Sequence, residues 1–551
     1  MKVGAFISSS IFGSANGNQF LYDIFFLDLK SLLHIPKSEN KQLKLTTRWA
    51  LFLLLGTWFW SACETGGITG EYVANQPPST FMTIAGIDRE EDFRLSSQIT
   101  ISWWGNDPDG YIAGYEYAIN DTSEGAWTFT TKTDSTFILP ITEGQTIDDV
   151  LFKIRAIDND GAKDPIGARL RYPIINSTPT VAFKTNETPA DTMFGIASFG
   201  WSIDDPDGLL NVRSTQIAIN DTVNGWVDVP FDQTNEGQIF ISLAVDNSSL
   251  GAATAQLFLG RSYSSAITGS GDFIFVEGIE VGTTNTAYIR TIDAAGAVSQ
   301  MDQTQWFVKQ QTSKVLLLND IGKSSSISDM NWHLSYLKEL GIEPDVWLIN
   351  TGQPALGTIE LSDQFPKVVD PTLKKTLASW DHIYWISDDV DRNIVHALDI
   401  TSEFFSRGGT MFATIPMKEV SQEDVIFNFL PVDSIGYFPS GGIETGFVVN
   451  RGTEIVSPSD ESAPTLKLDG RVVGWLPIKP ISGSTLLYEA DYRATTLLGF
   501  ITDYTLMEGV SVQSPEQNLI YFGMDLTKLN GNNNMREFLD YMCVQKLGFK
   551  N

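Results

Sequence analysis

The chain has 551 residues, with 37 Lys+Arg against 67 Asp+Glu and a formal charge of −30. At about 100–200 residues per domain, this length predicts roughly three to five domains, and 42% apolar residues exclude a disordered chain. The charge argues against nucleic acid and anionic headgroups as partners, since both need a basic footprint, and two cysteines exclude a disulfide framework or a multi-Cys metal site.

Lys41, Lys44 and Arg48 precede an apolar run, Trp49 to Trp60, which is followed by Ser61-Ala62-Cys63. A basic stretch, a 12-residue apolar core and small residues before a cut describe a secretory signal over residues 41–62. The run is shorter than the ~18 residues that span hydrocarbon. Small residues ending in Cys resemble the bacterial lipoprotein signal, although Trp60 stands where that pattern usually has Leu or another aliphatic residue. The resemblance implies acylation of Cys63, which becomes the first mature residue. It also implies a membrane partner held through lipid and a cell-envelope location, on the outer membrane with the side left open. The rival reading is an ordinary signal peptide or membrane anchor with an incidental Cys. Residues 1–40 read as an over-extended start or a disordered segment, with initiation expected near Leu43 or Leu45. Removing residues 1–62 leaves 31 basic against 64 acidic groups, a charge of −33. Residues 63–76 read as a tether.

The chain then repeats itself. Trp103 and Asp107-Pro-Asp109-Gly110 return as Trp201 and Asp205-Pro-Asp207-Gly208; Ala118-Ile-Asn-Asp-Thr122 returns as Ala218-Ile-Asn-Asp-Thr222. Trp127 returns as Trp226, and Arg155-Ala-Ile-Asp158 as Arg290-Thr-Ile-Asp293. Four blocks in the same order mark a duplicated unit. Within each unit apolar residues alternate with polar ones between Gly/Pro/Asp turns, which predicts a β-sandwich. A Trp on the second strand, a Tyr-bearing third strand and a late Phe-Lys-Ile-Arg-Ala-Ile-Asp strand resemble fibronectin type III and related immunoglobulin-like domains, over 77–176 and 177–310. The second copy carries an insertion at about 235–280, a long loop or extra hairpin where binding specificity could lie.

Asp107, Asp109, Asp158 and Asp160 have two readings. Asp-Pro-Asp-Gly is favourable turn chemistry, with Asp capping, Pro fixing φ and Gly taking positive φ. The same carboxylates are hard oxygen ligands that suit calcium, the one cofactor the sequence suggests. In the second copy the last pair has become Asp293-Ala294-Ala295, which leaves a shared calcium site incomplete.

From Ser313 the pattern alternates buried-strand runs with helices, as in a doubly wound α/β domain over 313–551. Strands are expected at 314–320, 345–349, 382–386, 410–414 and 518–522. Helices are expected around Met330–Leu340, Thr372–Trp380, Asn393–Phe405 and Asn534–Leu547. Gly408-Gly409 before a short strand, and the late Tyr521-Phe522-Gly523-Met524-Asp525, resemble the class I glutamine amidotransferase-like fold. Active members carry a Cys on a sharp turn after a strand, paired with His and an acid. The corresponding turn here, Phe412-Ala-Thr-Ile-Pro416, offers no Cys, and Thr414 lacks flanking glycines. Cys543 reads as a core hydrophobe, and His333, His382 and His396 as structural histidines. Asp320, Asp388, Asp389 and Asp391 fall at the carboxyl edge of the sheet, where ligands bind in such folds. The expected function is therefore a non-catalytic binding or scaffolding role, with an envelope protein or a glycan as partner. The alternative is an envelope hydrolase acting on glycans or peptides through edge carboxylates, whose geometry requires a pair about 5–10 Å apart across a cleft.

Overall fold

Along Gln98–Asn106 the buried side chains are Ile99, Ile101 and Trp103, every second residue, so one face of the strand points into a core. The computed structural model describes residues 74–84, 97–232, 234–349, 365, 369–421, 423–439 and 442–550. The signal, Cys63 and nearly all of the tether lie outside these residues. The chain divides into Met1–Asn75 and Gln76–Asn551, and every element below belongs to the second unit.

The first module has strands β1 (Ser79–Ile84), β2 (Gln98–Asn106), β3 (Ile112–Ile119), β4 (Thr128–Thr130), β5 (Asp134–Ile138), β6 (Ile147–Asp158) and β7 (Ala168–Ile175). They form two sheets, ordered β1-β2-β5 and β4-β3-β6-β7. Their inner faces enclose a core of Ile101, Trp103, Phe137, Phe152 and Ile154.

The second module repeats this plan with β8 (Thr180–Phe183), β9 (Thr192–Met193), β10 (Ile196–Asp204), β11 (Val212–Ile219), β12 (Val227–Val229), β13 (Gln238–Val245), β14 (Gly251–Leu259), β15 (Ser264–Ser265), β16 (Phe275–Val281), β17 (Thr284–Asp293) and β18 (Asp302–Val308). One sheet is β12-β11-β17-β18-β9; the other is β15-β14-β13-β10-β8, with β16 on β14. The insertion is thus no loose loop: β14, β15 and β16 prolong the sheet beyond β13. Strand β10 buries residues on both faces. Trp201 points inward, whereas Ser198 on the outer face hydrogen-bonds Ser242 and Thr372, the latter in the C-terminal part.

That part begins with β19 (Val315–Asp320), buried throughout, and helix α1 (Ser326–Glu339). It continues with β20 (Asp345–Leu348), β21 (His382–Ser387), β22 (Thr410–Thr414), β23 (Val432–Ile435), β24 (Glu444–Val449), β25 (Glu454–Val456) and β26 (Leu466–Lys467). The remaining strands are β27 (Val472–Val473), β28 (Ile478–Pro480), β29 (Thr485–Ala490), β30 (Arg493–Thr496), β31 (Ile501–Asp503), β32 (Gly509–Gln513) and β33 (Leu519–Phe522). Strands β20-β19-β21-β22-β33 pair in parallel. Strand β32 then adds antiparallel and the sheet runs on through β29, β25 and β26. A separate sheet is ordered β27-β24-β30-β31.

Helix α1 ends where Gly341 takes φ 76 and the Ile342 N–H reaches the Leu337 carbonyl. The helix expected over Asn393–Phe405 is broken into a 3₁₀ turn and two short helices, Ala397–Ile400 and Ser402–Ser406. At the break the Thr401 hydroxyl donates to the Ala397 carbonyl at 2.6 Å, the back-bonding that bends helices. The last expected helix runs α-helical over Met535–Leu539 and widens to a π-helix over Asp540–Lys546. A single apolar cluster joins the second module to the C-terminal part, with Phe194 edge-on to Trp347 and Trp380 at 5.4 and 4.7 Å.

Candidate functional site

The repeated acidic turns act on the backbone. In the first module Asp109 accepts the Gln76 N–H at 3.0 Å, three residues before β1. In the second, Asp207 accepts the Ser177 N–H at 2.6 Å, three residues before β8. The same step in the repeat thus captures the incoming chain. Asp158 caps its own turn by accepting from Asp160 and Ala162, and Asp293 does so from Ala297. Asp160 accepts from the Asn159 side chain at 3.0 Å. Burial, with Asp109 and Asp158 nearby, raises the Asp107 carboxyl above its ordinary range. Among the described residues no three His, Cys, Asp or Glu side chains converge in a way that could hold a metal ion.

Asp207 has a second task that the sequence did not reveal. Its other oxygen accepts the Ser97 N–H at 2.7 Å, at the entry to β2 of the first module. The Asn176 side chain donates to Asp293 at 2.5 Å, and Arg213 pairs with Glu143 at 2.9 Å. The two modules are therefore clasped by a buried acid cluster. Burial, together with Asp207 and Asp293, pushes Asp205 up to about 6. The signal was present in the sequence, since Asp205-Pro-Asp207-Gly208 sits one module after its twin, but only the fold brings Ser97 to it.

Beside this junction lies a cleft of about 1020 Å³ lined by Arg213, Asp228, Phe231, Ile267, Thr268 and Val298, among others. Ile267 and Thr268 come from the insertion, in the connection between β15 and β16, so that connection walls a surface depression.

At the carboxyl edge of the parallel strands, Asp320 is fully buried and accepts from Asn393 at 2.6 Å and Trp385 at 3.3 Å. Burial pushes its carboxyl up to about 7, against the pull of those donors and Arg392. Asp388 accepts the Gly322 N–H at 2.9 Å and pairs with Arg392 at 3.2 Å. Asp389 pairs with Lys418, and its side chain accepts the Asp391 N–H at 3.3 Å. Asp391 is exposed, and partial desolvation with Asp389 and Asp424 nearby raises its carboxyl. The four acids thus occupy the ends of β19 and β21. Sequence reasoning missed the cations that hold them, Arg392 and Lys418, and Lys323, which bridges Asp329 and Asp525 at 2.9 and 3.4 Å. Single basic residues on different loops carry no spacing signal.

The end of β22, singled out in the sequence for the Cys it lacks, offers no free hydroxyl at Thr414 either. Thr414 is buried and its hydroxyl donates to the Met524 carbonyl at 3.0 Å. Cys543 is buried with its thiol pushed up. His333 is buried against the Tyr384 hydroxyl at 2.9 Å, and burial lowers it to about 4. His382 contacts the Thr410 hydroxyl at 2.8 Å, and burial lowers both His382 and His396.

Strand order defines the first two modules as fibronectin type III/immunoglobulin-like sandwiches. Solved structures similar to this chain include the fibronectin(III)-like modules of Clostridium thermocellum CbhA, at 14% identity over 42% of this chain and 95% of that one, TM-score 0.16. A two-fibronectin-domain segment of chicken tenascin matches at 10% identity over 42% of this chain and all of its own, TM-score 0.17. The chitinase ChiA74 of Bacillus thuringiensis matches at 13% identity over 44% of this chain and 29% of its own, TM-score 0.15. No family model and no curated protein matches the sequence.

Proposed function

We propose that the protein is a lipid-anchored component of the bacterial cell envelope, on the outer membrane, with a non-catalytic binding or scaffolding role. The two sandwiches form a clasped stalk. They carry a doubly wound, amidotransferase-like domain that has lost its nucleophile, a reading supported by the parallel order β20-β19-β21-β22-β33. The observation that carries the non-catalytic reading is the Thr414 hydroxyl, buried and committed to a backbone carbonyl at the nucleophile's position. The pairing of Asp388 with Arg392 and of Asp389 with Lys418 supports the same conclusion, because a cation beside each carboxylate favours its ionised form and opposes the protonated one that a glycosidic general acid needs. Binding is assigned to the cleft walled by the insertion, with an envelope protein or a glycan as ligand.

The test is affinity capture from envelope extracts alongside incubation with glycan and peptide libraries. A reproducible partner, lost on Arg213→Glu with Ile267→Asp, and no turnover are the expected results. Turnover abolished by Asp388→Asn or Asp389→Asn would replace the binding reading with the hydrolase.

A further inference from the structure

The hairpin of β30 and β31 ends in Leu497-Leu498-Gly499-Phe500-Ile501, and the exposures at its tip are large. Leu497 is 76%, Leu498 81% and Phe500 66% exposed, with Ile443 at 57% on the adjoining chain. Contiguous exposed apolar surface of this kind marks an interaction site. We infer that this tip dips into the interface of a zwitterionic bilayer, a membrane contact separate from any lipid on Cys63.

Three observations select a bilayer over another occupant. The exposed side chains follow one another around the end of a hairpin, so the apolar surface is a protruding tip, which a bilayer interface receives without a matching groove. Four of the tip's backbone N–H groups are already paired within the protein. Thr496 N–H donates to the Phe500 carbonyl at 2.9 Å, Gly499 N–H to the Thr496 carbonyl at 2.8 Å and Leu497 N–H to the Ile443 carbonyl at 2.9 Å. Phe500 N–H reaches the Thr496 hydroxyl at 3.1 Å. Unpaired backbone groups are what lipid penalises most. Charge is the third: along the hairpin no charged residue lies between Arg493 and Asp503, which pair with each other, and Glu444 stands opposite Thr496 at the base of the tip. Thr495 and Thr502 flank the tip, their hydroxyls donating to the Gly446 and Ala494 carbonyls. The charge of −30 opposes anionic lipid, so the headgroup is zwitterionic.

The experiment places an environment-sensitive nitrobenzoxadiazole label on Leu498→Cys in the full chain carrying Cys63→Ser. Buried Cys543 stays unlabelled. The acyl chains are then absent, and a label on the tip separates penetration at Leu498 from binding through the apolar run Trp49–Trp60, so this inference and the lipid-anchor reading fail separately. With phosphatidylcholine vesicles, a blue shift and quenching by spin-labelled phosphatidylcholine are expected. Both should weaken when phosphatidylglycerol is added, and both should be lost with Leu497→Ser and Phe500→Ser while the far-ultraviolet spectrum is kept. An unchanged emission with phosphatidylcholine vesicles, whether or not the protein floats with them, would overturn the inference. So would a concentration-dependent blue shift without lipid, which would assign the tip to a second copy of the chain.

Discussion

Asp207 draws two backbone N–H groups, Ser97 and Ser177, onto one buried carboxylate, and so joins two modules through a single side chain. Bonds to charged acceptors contribute about 1.5–3 kcal/mol, and buried donors left unmade add to the loss. Asp207→Ala should therefore destabilise the protein by roughly 2–4 kcal/mol and raise amide exchange at Ser97 and Ser177. Unchanged exchange at both would remove the clasp. Asp320 makes a pH-dependent contribution. Its carboxyl rises from 3.8 unfolded to about 7 folded, so its favourable contribution is complete below pH 3.8 and is lost as pH climbs through 7. Wild type should lose stability between about pH 4 and 7 relative to Asp320→Asn, at a slope on the order of 1.4 kcal/mol for each tenfold fall in proton concentration. Parallel denaturation curves for the two proteins across that range would contradict the assignment.

At the scale of elements, the duplicated turn explains why the sequence repeats the letters it does. Asn120 and Asn220 take φ 58 and 61, and each side chain accepts an N–H from the neighbouring strand, Leu151 or Thr286. Trp127 and Trp226 then donate to the carbonyls of Thr122 and Thr222 and lie under Arg155 and Arg290, each 4.0 Å from the ring. Asn120→Gly should lose the side-chain bond only, whereas Asn120→Ala also incurs left-handed strain of about 1–2 kcal/mol. Urea denaturation should rank alanine below glycine. The strands and turns of both sandwiches were legible because period-two burial and turn residues write themselves into sequence. The broken helix at Thr401 was not, since the apolar spacing continues across it and only the hydroxyl's back-bond interrupts it. Likewise, the positions of Asp320, Asp388, Asp389 and Asp391 followed from strand ends. Their pairing with Arg392 and Lys418 depends on loops that meet only in three dimensions.

Across the whole molecule, two apolar cores set the units of stability. One belongs to the first sandwich; the other runs from the second sandwich into the C-terminal sheet. Calorimetry should show a smaller transition for the first module and one larger joint transition for the rest, and Phe194→Ala should lower the larger one. Separate melting of the second sandwich would contradict the shared core. The exposed acids belong to the same picture: a charge of −30 keeps such a chain soluble and away from anionic surfaces. On the proposed envelope reading, attachment to a membrane comes from lipid and apolar contact. Mass spectrometry of the N-terminal peptide from envelope fractions tests that most directly. The expected product begins at an acylated Cys63 and is absent from a Cys63→Ser strain; a peptide running through residues 61–63 with an unmodified thiol would contradict the lipid-anchored assignment.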